Sequence, residues 1–240
     1  ELKIWRERLT NFRKEKVMAI LGGAKIGDKI QVIENFLRIS NTIIVGGGIA
    51  NTFILSKGIG VGNSIVEKDK TDLATQLIEQ AKSAGTILYI PGNFVIGELK
   101  DPETHLHIKL SVPSHKVPSG WAILDIDSEV IDHIKSRLEE IKPEIIVWNG
   151  PLGKTEDPNF AKGTRNMLKT LIDYLGVNPN AHLICGGGET GEFVNKYLND
   201  IPSSPDVRSK IHISTGGGAF LDYLAEKNLP GVDVIPDRNK

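Results

Sequence analysis

Short apolar runs alternate with amphipathic stretches along most of the chain. Residues 17–21 (VMAIL), 42–45, 86–90, 145–148, 182–185 and 211–214 are apolar and four or five residues long, and most end at glycine or polar positions. That is the pattern of strands buried on both faces. Between them apolar side chains recur at spacings of three and four. Leu2, Trp5, Leu9 and Phe12 do so in 2–14, Ile26, Ile30, Ile33 and Leu37 in the stretch after Gly23, and Leu73, Leu77, Ile78 and Ala81 within 67–84. Further helices are predicted over 49–57, 128–141, 158–175, 190–198 and 217–227. Six strands alternating with helices predict an α/β fold of three layers, with a mainly parallel six-stranded sheet covered on both faces.

The rhythm breaks between Asn93 and Gly120. Leu106, Ile108 and Leu110 alternate there with His105, His107 and Lys109, the two-residue period of a half-exposed strand. With residues 94–99 as its partner, this predicts a small antiparallel hairpin within 93–112. The polar, proline-containing segment 200–210 (DIPSSPDVRSK) reads as a surface loop.

Glycine placement adds chemistry to this outline. Gly22-Gly23, Gly46-Gly47-Gly48, Gly186-Gly187-Gly188 and Gly216-Gly217-Gly218 each follow a predicted strand. In a parallel sheet these turns all fall at the carboxyl edge, where ligands bind. Bare backbone amides at helix starts form anion sites, most naturally for a polyphosphate. Lys25 and Lys29 stand four apart after the first cluster. On a helix they would share a face and offer two cations to such an anion.

Two familiar phosphate motifs do not fit. Residues 186–191 satisfy G-x-G-x-x-G, but late in the chain and with no acidic residue ending the next strand, which argues against a dinucleotide. Gly153-Lys154-Thr155 resembles the end of a Walker A loop, yet Trp148 occupies the position of its first glycine. His105 and His107 share a strand face without an acidic or cysteine companion, a weak metal pair.

Composition narrows the setting. Formal net charge is −1, so no basic field points to nucleic acid or an anionic membrane. No apolar run approaches the ~20 residues of a bilayer span, and no leader segment is expected. The single cysteine, Cys185, cannot form an internal disulfide, and its place at a strand end suits the core. A cytoplasmic monomer is expected. The chain opens at Glu1 without methionine, so it is expected to begin within a longer protein.

AILGGAKIGDKI (19–30), IIVGGGIANTF (43–53), IVWNGPLGKTE (146–156), ICGGGET (184–190), HISTGGGAFLDYL (212–224) and LPGVDV (229–234) together resemble the C-terminal domain of phosphoglycerate kinases, in the family's order and over nearly the whole chain. The resemblance implies a Rossmann-like domain, residues 1–240, that binds magnesium–ADP or –ATP. It belongs to an enzyme that exchanges a phosphoryl group between 1,3-bisphosphoglycerate and ADP to give 3-phosphoglycerate and ATP. The N-terminal domain that holds 3-phosphoglycerate has no counterpart here. By the same resemblance, Lys25 lies near the transferred phosphoryl group and Lys29 bridges the nucleotide phosphates. The amides of Gly216, Gly217 and Gly218 neutralise the transferring group, beside a hinge at Ser214-Thr215. Gly23 and Ala24 bind the nucleotide, and Gly46, Gly47, Ile65 and Leu124 build the adenine pocket. Asn149 and Pro151 line the nucleotide, Glu156 meets the ribose, and Gly187, Gly188 and Thr190 surround the phosphates. Glu189 matches the metal-binding acid, usually an aspartate. The family's W-x-G-L-D-x-G segment reads WAILDID at 121–127, without its glycines. The alternative reading is a stand-alone nucleotide-binding or regulatory homologue without kinase activity.

Overall fold

The computed structural model describes residues 13–98 and 108–224. Six of its strands are β1 (Val17–Leu21), β2 (Thr42–Val45), β3 (Ile87–Tyr89), β7 (Ile145–Asn149), β8 (His182–Gly186) and β9 (Ile211–Ile213). They form one sheet in the order β3-β2-β1-β7-β8-β9, and every pairing is parallel. All six runs read from the sequence are strands, with ends that differ by at most one residue.

Alternation along each strand divides the core into two layers. Val17, Ala19 and Leu21 join Ile43, Val45, Ile145 and Val147 on one face. Met18 and Ile20 join Ile44, Ile146, Trp148, Leu183 and Cys185 on the other. The first face is covered by α1 (Ile30–Ile39), α2 (Gly47–Ser56), α3 (Thr71–Ala84) and α8 (Gly218–Leu224). The second is covered by α4 (Ser128–Ile141), α5 (Lys162–Val177) and α6 (Gly188–Leu198). Because both faces are sealed, strands such as β1 are buried at every position, which explains their unbroken apolar character.

A second sheet contains the expected hairpin and extends it by one strand. β4 (Asn93–Glu98) pairs antiparallel with β5 (Ile108–Pro113), as expected, but also with β6 (Trp121–Ile126), giving three strands in the order β5-β4-β6. The segment read only as a family motif is therefore a strand. Ile54, Val61, Phe94, Ile96 and Ile123 form a small core beneath it. Asp127, where the family has glycine, becomes the N-cap of α4 by accepting the Glu129 N–H at 2.7 Å.

The polar segment 200–210 also holds structure. Ser204 accepts the Val207 N–H, Pro205 takes a first-turn position, and α7 (Pro205–Ser209) forms with Val207 buried. Most of the helix predicted over 2–14, the His105–His107 pair and the motif at 229–234 lie outside the described residues.

Candidate functional site

The sheet order places a reversal between β1 and β7. From β1 the chain winds outward through β2 to β3, then returns beside β1 and winds the other way through β8 to β9. Connections leave a crevice at such a point, outside the carboxyl ends of the strands.

The loops bordering it interlock through backbone. The Gly22 N–H donates to Asn149 O at 2.8 Å and the Gly23 N–H to Pro151 O at 2.9 Å. The Gly46 N–H donates to Leu21 O at 3.0 Å and the Gly47 N–H to Leu152 O at 3.1 Å. A Cβ at Gly22 would strike the Pro151 carbonyl, one at Gly48 the Ala24 carbonyl, and one at Gly150 (φ +93°) the Gly22 carbonyl. These glycines permit loop-on-loop packing. Gly188, Gly217 and Gly218 differ, since an added Cβ there meets nothing within 4 Å.

Lys29 sits at the junction. Its ammonium donates to Asn149 O at 3.3 Å and to Asn149 Oδ1, and the residue is only 8% exposed. Burial lowers its pKa to about 8, against the opposing pull of Glu189 and Asp28. Asn149 is held in turn, its Nδ2 donating to Gly186 O at 2.8 Å. The Thr190 hydroxyl accepts the Gly150 N–H at 2.6 Å, and Trp148 Nε1 donates to Gly150 O at 2.9 Å. A buried ammonium among backbone carbonyls and amides is costly unless an anion shares it.

Beside this junction opens a cavity of about 590 Å³, within the range of small-molecule sites. One wall comes from the loops of the main sheet, including Gly23, Ala24, Gly47, Pro151 and Leu152. The other comes from Ala122, Ile123 and Leu124 on β6. Ile65 lines it too and is 65% exposed, a large apolar surface of the kind a flat ring would cover. Glu156, Lys154 and Glu189 supply charge.

Of the residues singled out from sequence, Gly23, Ala24, Gly47, Ile65, Leu124, Pro151, Glu156 and Glu189 line this cavity. Lys29, Asn149 and Thr190 join it through the hydrogen bonds above, and Gly187 stands against the Asn149 amide. Gly46 sits behind the wall, packed on Leu152. Gly188 and Gly216–Gly218 occupy the turns after β8 and β9, outside the cavity lining. Lys25 and Lys29 do not share a helical face. The chain enters a 3-10 turn only at Gly27 and α1 only at Ile30, so Lys25 is exposed on irregular backbone while Lys29 points inward. Asn51 and Asn63 line the cavity without having been singled out. Asn51 is 2% exposed and donates through Nδ2 to Ile65 O at 3.0 Å, which leaves its Oδ1 without a partner. Its only sequence signal was a polar residue inside an apolar helix.

The family model for phosphoglycerate kinase matches residues 1–227. The chain belongs to the phosphoglycerate kinase family. It is 42% identical over 224 residues to a phosphoglycerate kinase of Limosilactobacillus reuteri, covering 92% of this chain and 50% of that protein. It is 40% identical over 225 residues to the cytosolic phosphoglycerate kinase 3 of Arabidopsis thaliana, covering 93% and 52%. The solved phosphoglycerate kinase of Coxiella burnetii superposes with a TM-score of 0.83 at 29% identity, over all of this chain and 58% of that one. The chain thus spans about half the length of the curated relatives it matches. The six-stranded parallel sheet agrees with the Rossmann-like expectation. No described helix is long and apolar enough to cross a membrane. Cys185 is fully buried and its thiol pKa is pushed up by that burial, which suits a core residue rather than a nucleophile.

Proposed function

We propose that this chain is the nucleotide-binding half of a phosphoglycerate kinase, taking magnesium–ADP or –ATP in the crevice between β1 and β7. The observation that carries the reading is the buried Lys29 ammonium beside a mostly apolar cavity at the switch point of the sheet. The cavity takes the base and ribose, with Ile65 and Leu124 against the ring and Glu156 at the sugar. The phosphates run past Lys29 toward the turns at Gly187-Gly188 and Gly216–Gly218, with Lys25 exposed at the edge. Backbone amides and a desolvated ammonium neutralise phosphoryl oxygens without reorganising, which is the main demand of phosphoryl transfer.

Among the described residues no three His, Cys, Asp or Glu side chains converge as a metal cluster. Magnesium needs no such cluster, since it keeps several waters and binds through one or two carboxylates plus substrate phosphates. Glu189, in the first turn of α6 and on the cavity wall, would hold it, and the bound ion would neutralise phosphate charge.

In the complete enzyme the phosphoryl group moves from the acyl phosphate of 1,3-bisphosphoglycerate to the terminal oxygen of ADP, leaving 3-phosphoglycerate. The other half of the enzyme holds that sugar acid. Positioning of a second substrate is worth ~7–11 kcal/mol of barrier, and this half by itself does not supply it. Calorimetric titration with ADP, with and without magnesium, beside a coupled kinase assay with 3-phosphoglycerate, tests the proposal. Magnesium-dependent ADP binding with no appreciable turnover is expected. Absent nucleotide binding, or strong turnover by this chain alone, overturns it.

A further inference from the structure

The carboxylate of Asp125 is buried where the two sheets meet. The residue is 1% exposed and lies inside β6, next to Leu124 on the cavity wall. Its Oδ1 accepts the Ile126 N–H at 2.9 Å and its Oδ2 the Gly163 N–H at 2.6 Å. Gly163 is in the first turn of α5, a helix whose own N-cap residue, Ala161, offers no side-chain acceptor. Asp125 therefore caps α5 from a different sheet. The Thr164 hydroxyl in that same turn accepts the Leu152 N–H at 3.2 Å, and the Lys154 N–H donates to Leu124 O at 2.7 Å. Gly153 and Gly163 both approach the carboxylate so closely that a Cβ on either would overlap Oδ1. Asp125 thus ties β6, which carries one wall of the cavity, to the start of α5, and it packs against Gly153 of the 151–156 loop on the other wall, a loop that Thr164 of α5 also holds.

We infer that Asp125 is a positioning residue that sets the separation of the two cavity walls, and through it the fit of the base and ribose. The inference rests on the nucleotide reading above. The isosteric Asn cannot reproduce the contact. Its single oxygen satisfies one of the two N–H groups and turns an amide donor toward the other. Glu is excluded by the space at Gly153 and Gly163. Burial pushes the Asp125 pKa up to about 7, opposed by hydrogen bonds from Gly163, Ile126 and Thr164. Replacing the charge with a neutral amide therefore removes a desolvation cost, so the fold tolerates the change better than the wall does.

The test compares Asp125→Asn with the parent chain for ADP and for inorganic tripolyphosphate, which reaches only the phosphate end. ADP affinity falls about tenfold as the wall shifts, while tripolyphosphate affinity stays close to the parent. Unchanged ADP affinity, or parallel loss of both ligands, overturns the inference. Thr164→Val, which removes the acceptor of the Leu152 N–H at similar volume, carries the same comparison if Asp125→Asn does not fold. If the parent binds no ADP, the functional reading fails and hydrogen exchange decides this one. Asp125→Asn must then speed exchange at Leu152, Lys154 and Gly163 at least about tenfold and leave β8 unchanged; uniform or absent acceleration refutes it.

Discussion

The glycine turns after β1, β2 and β7 look in sequence like those after β8 and β9, yet they do different work. In the first group backbone lies against backbone, and Gly22, Gly48 and Gly150 leave no room for a methyl group beside the Pro151, Ala24 and Gly22 carbonyls. In the second, Gly188, Gly217 and Gly218 face open space. Close packing explains the first group without any ligand. In the second group Gly217 (φ +51°) answers to its own left-handed backbone, while Gly188 and Gly218 have open space beside them that the phosphate path proposed above would use. A glycine cluster is thus evidence of close approach. Whether protein or ligand makes that approach is a property of the neighbours.

The contrast is sharpest at Gly22. Gly22→Ala forces its Cβ into the Pro151 carbonyl, which is backbone and cannot swing aside. It should cost roughly 3 kcal/mol of stability, at the upper end for overpacking, read by chemical denaturation. A near-normal midpoint would break the distinction between packed and open turns.

Lys29 lies between the two groups, and its cost shows as a pH dependence. Its pKa is about 8 in the folded protein and near 10.5 unfolded, chiefly through burial. Between those values the unfolded chain binds more protons, so stability rises with pH in that window. Relative to Lys29→Met, the parent should gain about 3 kcal/mol from pH 8 to 10.5. Matched denaturation curves at several pH values measure it, and parallel profiles would show that the ammonium is not desolvated.

The smallest change in stability belongs to the open side. Gly188→Ala puts a better helix former in the first turn of α6 without a clash, and should raise stability by up to about 1 kcal/mol. Its methyl group intrudes on the path proposed for the phosphates, so ADP affinity should nevertheless fall about tenfold. An alanine variant that binds ADP as well as the parent would detach Gly188 from the site.

How legible each part was depends on how many neighbours shaped it. The six parallel strands need only be apolar and short, and their runs were plain. β6 was hidden because Asp125 breaks its apolar run. A buried carboxylate satisfied by Gly163 and Ile126 has no signature in the residues around it. α7 was hidden by its polarity, although Ser204-Pro205 followed by Val207 carries a cap and an anchor. For the site, the four-residue spacing of Lys25 and Lys29 suggested a shared helical face that does not exist, because the 3-10 turn at Gly27–Lys29 delays the helix. Asn51 was overlooked because its surroundings on α2 are those of an ordinary core helix.

The pairing of β1 with β7 joins Val17 to Ile145 and Leu21 to Asn149, residues far apart in the chain, whereas β1 meets β2 after one short helix. Closing so long a loop is slow relative to local pairing. During synthesis VMAIL must therefore wait with one edge bare until the later strand emerges, and a bare apolar edge invites foreign strands. The seam that creates the crevice is also where the nascent chain is most open to aggregation.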